Sequence, residues 1–468
     1  MKKIIVSIIL VVTLLLNALV MSSCMLGGGG EELDSNFQVP EGGFDTETPV
    51  TITFYHTMGA SLREVLDKYI LKFNELYPNI TVKHEQAGGY DDVRNRIKTE
   101  ITVDAQPNIA YCYPDHVALY NLAKAPVALD NLIADETLGL TQEQLDDFIK
   151  GYYDEGKQFG DDKMYTLPLS KSTEVLYYNK TFFEKNGLSV PTTWDELEET
   201  CAKIKQLEPD CIPLGYDSES NWFITMCEQL DSPYTSATGD NFLFDNETNH
   251  EFVKKFREWY QKDYVTTQEL SGSYTSAFFV KKDGEVGKSY MSIGSSAGAT
   301  HQRPKKEGNE YPFEVGIASV PQVDPENAKV ISQGPSLCIF NKSNPQEVIA
   351  SWLFVKFLTT NVDFQAEFSM ASGYMPVIKS VKDHPVYKES FLDKADGKDN
   401  ITALSVKVGF DNENAYYTSP AFNGSSAARD EVGKLMQICL AEKTTDVDAL
   451  IKSTFADAIA ECKYQAGQ

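Results

Sequence analysis

Apolar residues recur along this chain with two periods that keep exchanging places. Val50, Ile52 and Phe54 alternate with threonines up to His56, the period-two pattern of a half-buried strand. Leu62, Val65, Leu66, Tyr69, Ile70, Phe73 and Leu76 then return at helical spacing until Tyr77-Pro78-Asn79 stops the run. Ile80 to Lys83 reads as a second strand, Asp91 to Val103 as a second helix, Asn108 to Tyr113 as a third strand and Val117 to Ala123 as a third helix. Strand and helix in alternation predict an α/β fold with a parallel sheet covered by helices on its faces. Ligands of such sheets collect beyond the carboxyl ends of the strands. That rule singles out His56, Thr57, Met58, Gly89, Tyr90, Asp91, Asp115 and His116, all at or just beyond such positions.

The second half carries clear helix starts. Thr193 and Glu196 form a capping box ahead of Leu197, Cys201, Ile204 and Leu207. Asn344 precedes Pro345 and Glu347, an N-cap with proline at the first helical position, and the helix to Leu358 carries Val348, Trp352 and Val355. Phe252, Phe256, Trp259 and Tyr260 are the apolar stripe of another helix, so Trp194, Trp259 and Trp352 read as core. Leu214 to Phe223 is more polar and reads as a loop running into a helix, which leaves Trp222 with two roles, solute stacking or core packing.

The N-terminus changes the setting. Lys2 and Lys3 precede an apolar run from Ile4 to Val20, then Met21-Ser22-Ser23-Cys24, the pattern of a secretory signal peptide over 1–23. Residues 24–48 contain four consecutive glycines and several acidic residues, and predict a flexible tether. The net charge of −26 becomes more negative by two once Lys2 and Lys3 are lost, which argues against nucleic acid as a partner. Eight cysteines include no Cys-x-x-Cys, and the six histidines lie far apart, so no metal and no cofactor is expected. Seven cysteines besides Cys24 are read as small buried hydrophobes, although Cys201 and Cys211 are close enough in sequence for a bridge.

Leu167-Pro-Leu-Ser-Lys-Ser-Thr-Glu-Val-Leu-Tyr-Tyr-Asn-Lys180 is the most distinctive stretch. It resembles the first interlobe crossover of bacterial extracellular solute-binding proteins, the receptors of ABC importers. Ser289 to Gly298 is similar to the family's return crossing, Ser332 to Leu337 to its glycine-containing strand near a third crossing, and Ser372 to Val377 to its Gly-Tyr-x-Pro loop. Ser-Ser-Cys24 resembles a lipobox, which implies lipid on Cys24, membrane anchorage on the outer face of the cell membrane, and an extracellular or periplasmic location. The resemblance implies a two-lobed periplasmic-binding-protein fold, each lobe a mostly parallel sheet flanked by helices, joined by crossover hinge segments. The expected division is 49–168 plus 292–340 for the N-terminal lobe and 169–291 plus 341–468 for the C-terminal lobe, with hinges at Leu167–Thr173, Ser289–Gly294 and Phe340–Asn344.

The resemblance also implies where a solute would sit. Ser170 and Ser172 face the cleft in the crossover; Tyr90, Tyr374 and Trp222 offer flat faces to a sugar; Asp91, Asp115, Ser295 and Ser296 offer hydrogen bonds. Phe54 to Met58, the pair Ser295-Ser296, Gly334, Tyr374 and Arg429 are similar to landmarks of the glycerol-3-phosphate-binding branch. In that branch Arg429 would face phosphate, whereas by itself it reads equally as a surface ion pair with Asp430 or Glu431. Glu219 stands where that branch has a tryptophan, and Glu174 has three readings: solvent, hinge or ligand. The expected function is capture of a carbohydrate or polyol by a monomer that delivers it to importer permease subunits. A glycerophosphoryl solute, a sensor reporting to a membrane kinase, and a secreted glycoside hydrolase or lyase are the alternatives. No catalytic motif supports the last of these.

Overall fold

A computed structural model describes residues 36–280 and 289–468. The signal peptide and Cys24 lie outside the described residues. The strands are β1 (Val50–His56), β2 (Ile80–Gln86), β3 (Ile109–Cys112), β4 (Thr166–Pro168), β5 (Glu174–Asn179) and β6 (Leu214–Tyr216). They continue as β7 (Val265–Thr267), β8 (Met291–Ser295), β9 (Val315–Ser319), β10 (Val330–Ile331), β11 (Ser336–Ile339) and β12 (Tyr416–Tyr417).

Two five-stranded sheets share one plan, in the orders β2-β1-β3-β11-β4 and β7-β6-β8-β5-β9. β1 lies parallel to β2, from Val50 opposite Ile80 to His56 opposite Gln86, and parallel to β3. β11 runs antiparallel to both β3 and β4. In the second sheet β6 is parallel to β7 and β8, and β5 is antiparallel to β8 and β9. One strand per sheet therefore opposes the other four, and each is the strand that enters from the other lobe. A chain arriving across the cleft comes in at the end where the other strands leave, so it must run the opposite way. The amino ends of β5 and β11 thus join the carboxyl ends of the remaining strands at the cleft.

Four parts of the expected organisation are corrected. The Ser289–Gly294 stretch is no crossing, because β8 pairs with β5 and β6 inside the second sheet, and β9 lies beside β5. Residues 292–319 thus belong to the second lobe. Phe340–Asn344 is no crossing either. It is a short link from β11 to the helix Pro345–Thr360, whose Val348, Ile349, Trp352, Phe354 and Leu358 share one core with Ile52, Phe54 and Phe73. That helix and Val362–Ser372 therefore belong to the first lobe. The real links are residues 169–173, residues 320–335 through β10, and the segment after the helix Ile401–Asp411 through β12, which pairs with β10. Beyond it the helices Ser425–Ala441 and Val447–Ala466 close the second core around Trp222, Phe256, Trp259 and Phe455.

The tether expectation fails in its described half. Asn36 bridges to Ala128, Phe37, Val39 and Phe44 pack against the first core, and Gln346 donates to the Gly43 carbonyl at 3.0 Å. Three half-buried apolar side chains dock this segment, each contributing less than the about 1.5–3 kcal/mol of a fully buried one. The helix starts hold as read: the Thr193 hydroxyl accepts from Glu196 N at 3.2 Å, and the Asn344 side chain accepts from Gln346 N at 3.1 Å. All seven described cysteines are free and buried, Cys201 and Cys211 among them.

Candidate functional site

The crossing at residues 169–173 is bonded on one side to the first-lobe loop after Ser372 and on the other to the link through residue 333. Lys171 pairs with Met375 through two backbone hydrogen bonds, Lys171 N donating at 3.1 Å and Met375 N at 2.6 Å. Ser172 and Gln333 exchange two more, each 2.8 Å. Gly334 must be glycine here: its φ is +94°, and a Cβ would sit 2.6 Å from the Ser170 carbonyl oxygen. Beneath the crossing the fully buried Lys171 ammonium forms an ion pair with Glu155 and donates to the Gly334 carbonyl at 2.9 Å.

A cavity of about 390 Å³ opens between the lobes in front of this knot. The first lobe contributes Tyr90, Tyr113, Asp115 and His116 from beyond β2 and β3; the second contributes Tyr234, Thr235, Ser426 and Arg429; the links contribute Ser332 and Gln333. Ser426 donates to the Asp115 carboxylate, a hydrogen bond across the two lobes. A neighbouring cavity of about 380 Å³ shares Gln333, Arg429 and Asp430 and adds Glu174, Asp217, Asn221 and Ser295.

Four residues of the first lining carry buried polar atoms with no partner in the protein: His116 Nδ1, Tyr234 Oη, Thr235 Oγ1 and Ser332 Oγ. Burying an unpaired polar group costs on the order of 1–3 kcal/mol, so four such atoms in the walls of one cavity mark a region not fully satisfied from within the protein. Burial also holds the His116 imidazole below its ordinary pKa, against a smaller opposing effect of Asp115, so it is neutral at pH 7. A neutral imidazole and three hydroxyls can each donate or accept.

Aromatic rings form the floor. Tyr90 lies against Tyr113 with centroids 4.6 Å apart and against Tyr111 at 6.0 Å. Burial raises all three hydroxyls above the ordinary tyrosine range, which keeps them neutral hydrogen-bonding groups. Tyr374 lies close enough to Tyr90 and Tyr111 to raise their hydroxyls further, so the Gly-Tyr-x-Pro loop does reach this floor.

The residues singled out from sequence divide three ways. Tyr90, Asp91, Asp115 and Arg429 line the first cavity and Ser295 the second. Asp91 is at the rim, its side chain 76% exposed and paired with Arg94 at 3.2 Å. Ser170, Ser172, Ser296, Gly334 and Tyr374 form the layer behind: Ser170 bonds the Tyr111 hydroxyl at 3.0 Å, and Ser296 accepts from Thr173 N at 3.1 Å. Trp222 is elsewhere. It sits on the helix Glu219–Gln229, has no exposed surface, and stacks on Phe256 at 4.0 Å and Tyr216 at 5.0 Å. The loop reading failed because β6 extends to Tyr216 and the helix starts at Glu219, which turns the indole inward. His56 also turns inward, its Nε2 2.8 Å from His84 Nδ1.

Arg429 makes neither of the expected ion pairs. It donates to the Asn221 side chain, while Glu431 pairs with Lys434 at 2.6 Å. Glu219 lines the second cavity rather than the first and accepts from Glu269 N at 3.2 Å. Glu174 is buried and accepts from the Tyr216 hydroxyl at 2.6 Å and from Asn221 Nδ2 at 2.8 Å. Burial pushes its carboxyl up to about 7, against these two hydrogen bonds and the charge of Arg429. Tyr234, Thr235 and Ser332 were not named as ligand contacts from sequence, whereas His116 was placed here by the carboxyl-end rule. Tyr234 and Thr235 lie in a loop with no motif, and only the closing of the two lobes sets them opposite Tyr113.

The family description for bacterial extracellular solute-binding proteins matches residues 68–393. The sn-glycerol-3-phosphate-binding periplasmic protein UgpB of Escherichia coli K12 is 24% identical over 375 residues, covering 76% of this chain and 81% of that protein. Among solved structures, the cyclic alpha-maltosyl-1,6-maltose binding protein of Arthrobacter globiformis superposes with a TM-score of 0.69 at 19% identity, covering 89% of this chain and 100% of that one. UgpB of Mycobacterium tuberculosis in complex with glycerophosphocholine gives 0.68 at 18% identity, covering 89% and 98%. At such identities the structures establish the shared fold.

Proposed function

This chain belongs to the bacterial extracellular solute-binding proteins, and from that premise we propose that it captures a carbohydrate or polyol between its lobes and delivers it to an ABC importer. The observation that carries the solute class is one interlobe cavity floored by Tyr90 and Tyr113 and lined by hydrogen-bonding side chains of both lobes and their links, His116 and Asp115 on one side, Thr235, Ser426 and Arg429 on the other, and Ser332 between them. Hydroxyl groups both donate and accept, so a polyhydroxylated molecule satisfies a neutral imidazole and three protein hydroxyls together, while its C–H faces lie on Tyr90 and Tyr113. Tyr90, Asp115 and Arg429 contact it directly. Ser170, Ser172, Ser295, Ser296, Gly334 and Tyr374 shape the wall.

Closure follows from the same geometry. His116 belongs to one lobe and Tyr234 and Thr235 to the other, so a solute pairs all of them only when the lobes meet. Its greater affinity for the closed form is what shifts the equilibrium. No bond of the solute need change. Lipid on Cys24 would hold the receptor at the outer face of the membrane, beside the permease.

A glycerophosphoryl solute is the second reading, favoured by Arg429, which borders both cavities without a carboxylate in ion-pair contact among the described residues. A thermal-shift screen of monosaccharides, oligosaccharides, polyols, sn-glycerol 3-phosphate and glycerophosphodiesters tests both, because a ligand at a hundred times its Kd adds about 2.7 kcal/mol to stability. Melting raised by neutral sugars or polyols supports the first reading, and melting raised by phosphoryl compounds alone supports the second. No shift with any of them refutes the solute class.

A further inference from the structure

Arg429 is the cation that borders both cavities, and its guanidinium is bonded to an amide whose orientation another residue dictates. Asn221 has one acceptor oxygen and one donor nitrogen on its side chain. Nδ2 donates to Glu174 Oε1 at 2.8 Å, which leaves Oδ1 to accept from Arg429. The other carboxylate oxygen of Glu174 accepts from the Tyr216 hydroxyl at 2.6 Å. Asn221 is anchored at its own backbone, where its N–H donates to Ser218 Oγ at 3.2 Å. Without an acceptor at Glu174, Nδ2 loses the bond that holds the amide in place, and the direction of Oδ1 toward the guanidinium is no longer fixed from behind.

We propose that Glu174 is a positioning residue of the solute site: acting through Asn221, it fixes the direction in which Arg429 faces the cleft and tunes the charge that Arg429 offers to a solute. The proposal rests on the reading of the interlobe cleft as the solute site. Glu174 is suited to the task by its place in the fold. It is the first residue of β5, directly after the 169–173 crossing, and pairs with Ser295 of β8 in the cavity wall. It is 2% exposed, and both of its oxygens are committed to protein donors.

The charged and titratable groups that face it are few. Tyr216 and Asp217 come from β6 and the turn after it, Tyr417 from β12, and Arg429 from the helix Ser425–Ala441. With Glu174 ionised, part of the Arg429 charge is answered from within the protein. With Glu174 protonated, Oε1 still accepts from Asn221, so the orientation is kept while the full cationic charge is left for the solute. Its carboxyl titrates near neutrality, so the change falls in the range where such receptors work. An anionic solute is therefore bound with uptake of a proton, and a neutral one is not.

Two variants separate orientation from charge. Glu174→Gln keeps an acceptor for Asn221 and removes the charge; Glu174→Ala removes both. Crystal structures of the two solute-free variants are the decisive measurement. The Arg429–Asn221 hydrogen bond is expected to be kept in E174Q and lost in E174A, and its persistence in E174A overturns the proposal whatever the solute is. Titration calorimetry with glycerophosphoglycerol as the anionic probe is the second, because a phosphodiester keeps one negative charge from pH 6 to pH 8. Wild type should bind it about 5-fold more tightly at pH 6 than at pH 8, the change carried across this range by a one-unit rise of the Glu174 carboxyl on binding. E174Q should match the wild type's pH 6 affinity at both pH values. An equal pH dependence in wild type and E174Q also overturns the proposal. If no sugar, polyol or phosphoryl compound binds wild type, the functional reading falls, and the Arg429 geometry in E174A still decides this one.

Discussion

Replacing Lys171 by methionine should be among the most damaging single changes in this protein. The side chain is wholly buried and Glu155 is 3% exposed, so neither charge has water to fall back on. The ammonium also donates to the Gly334 carbonyl at 2.9 Å, while Ser336 Oγ donates to Glu155 at 3.0 Å. Methionine fills the volume of the lysine stem but leaves the carboxylate with Ser336 alone. Removing one partner of a buried pair costs about 3–5 kcal/mol, because the remaining charge stays desolvated. Against a total stability of about 5–15 kcal/mol, that is a large fraction. The double replacement Lys171→Met with Glu155→Met removes the charge that suffers and should recover most of the loss. Urea denaturation of the solute-free protein, completed as a double-mutant cycle, measures this, with a coupling between the two sites of about 3 kcal/mol expected. A cost below about 1 kcal/mol for K171M, or additivity of the two single changes, would refute the idea that this pair is held dry beneath the crossing.

Other perturbations test separate parts of the structure. Gly334→Ala combines a φ of +94° with a Cβ only 2.6 Å from the Ser170 carbonyl oxygen, so denaturation should show a loss of about 3 kcal/mol or more. Glu174 has a folded-state carboxyl near 7 against an ordinary 4.5, so the folded form holds its proton longer than the unfolded one does. Its contribution is greatest below about pH 4.5 and is lost as pH rises to 7, by about 3 kcal/mol at 1.36 kcal/mol per unit. The stability of wild type minus that of E174Q should fall by this amount between pH 4.5 and 8, and a flat difference contradicts it. Trp222→Ala should cost about 3–5 kcal/mol as a core truncation, whereas Trp222→Phe should leave solute affinity within about threefold. Selective loss of binding in W222F would return the indole to the cleft.

Much of the fold was legible because local rules and tertiary structure agree. The alternation from Val50 to Tyr113 gave strands and helices that formed within a few residues of their expected ends, and the caps at Thr193 and Asn344 start helices as read. Tyr90, Asp91 and Asp115 were found at the cavity because the carboxyl-end rule needs only the order of elements. The lobe boundaries were not legible. β8 has the composition of either sheet, and only its pairing with β5 and β6 assigns it. Helix Pro345–Thr360 is apolar nearly all round, so its sequence does not say which core it enters.

The site shows the same division. Arg429 was singled out by its type, but its partner, an amide 208 positions earlier in the chain, was not. Tyr234 and Thr235 carry no motif, and Ser332 was read only as the start of a landmark strand; that their side chains are buried without partners is a property that exists only after folding. What the sequence by itself determined is the period of each element, its caps, the order of strands and helices, and the short crossing rich in hydroxyls. Those follow from backbone geometry and near neighbours. Which lobe each element joined, which way Trp222 and Glu174 faced, and which polar atoms were left wanting a solute were decided by tertiary structure. Such properties depend on contacts between residues far apart in the chain, and no local pattern records them.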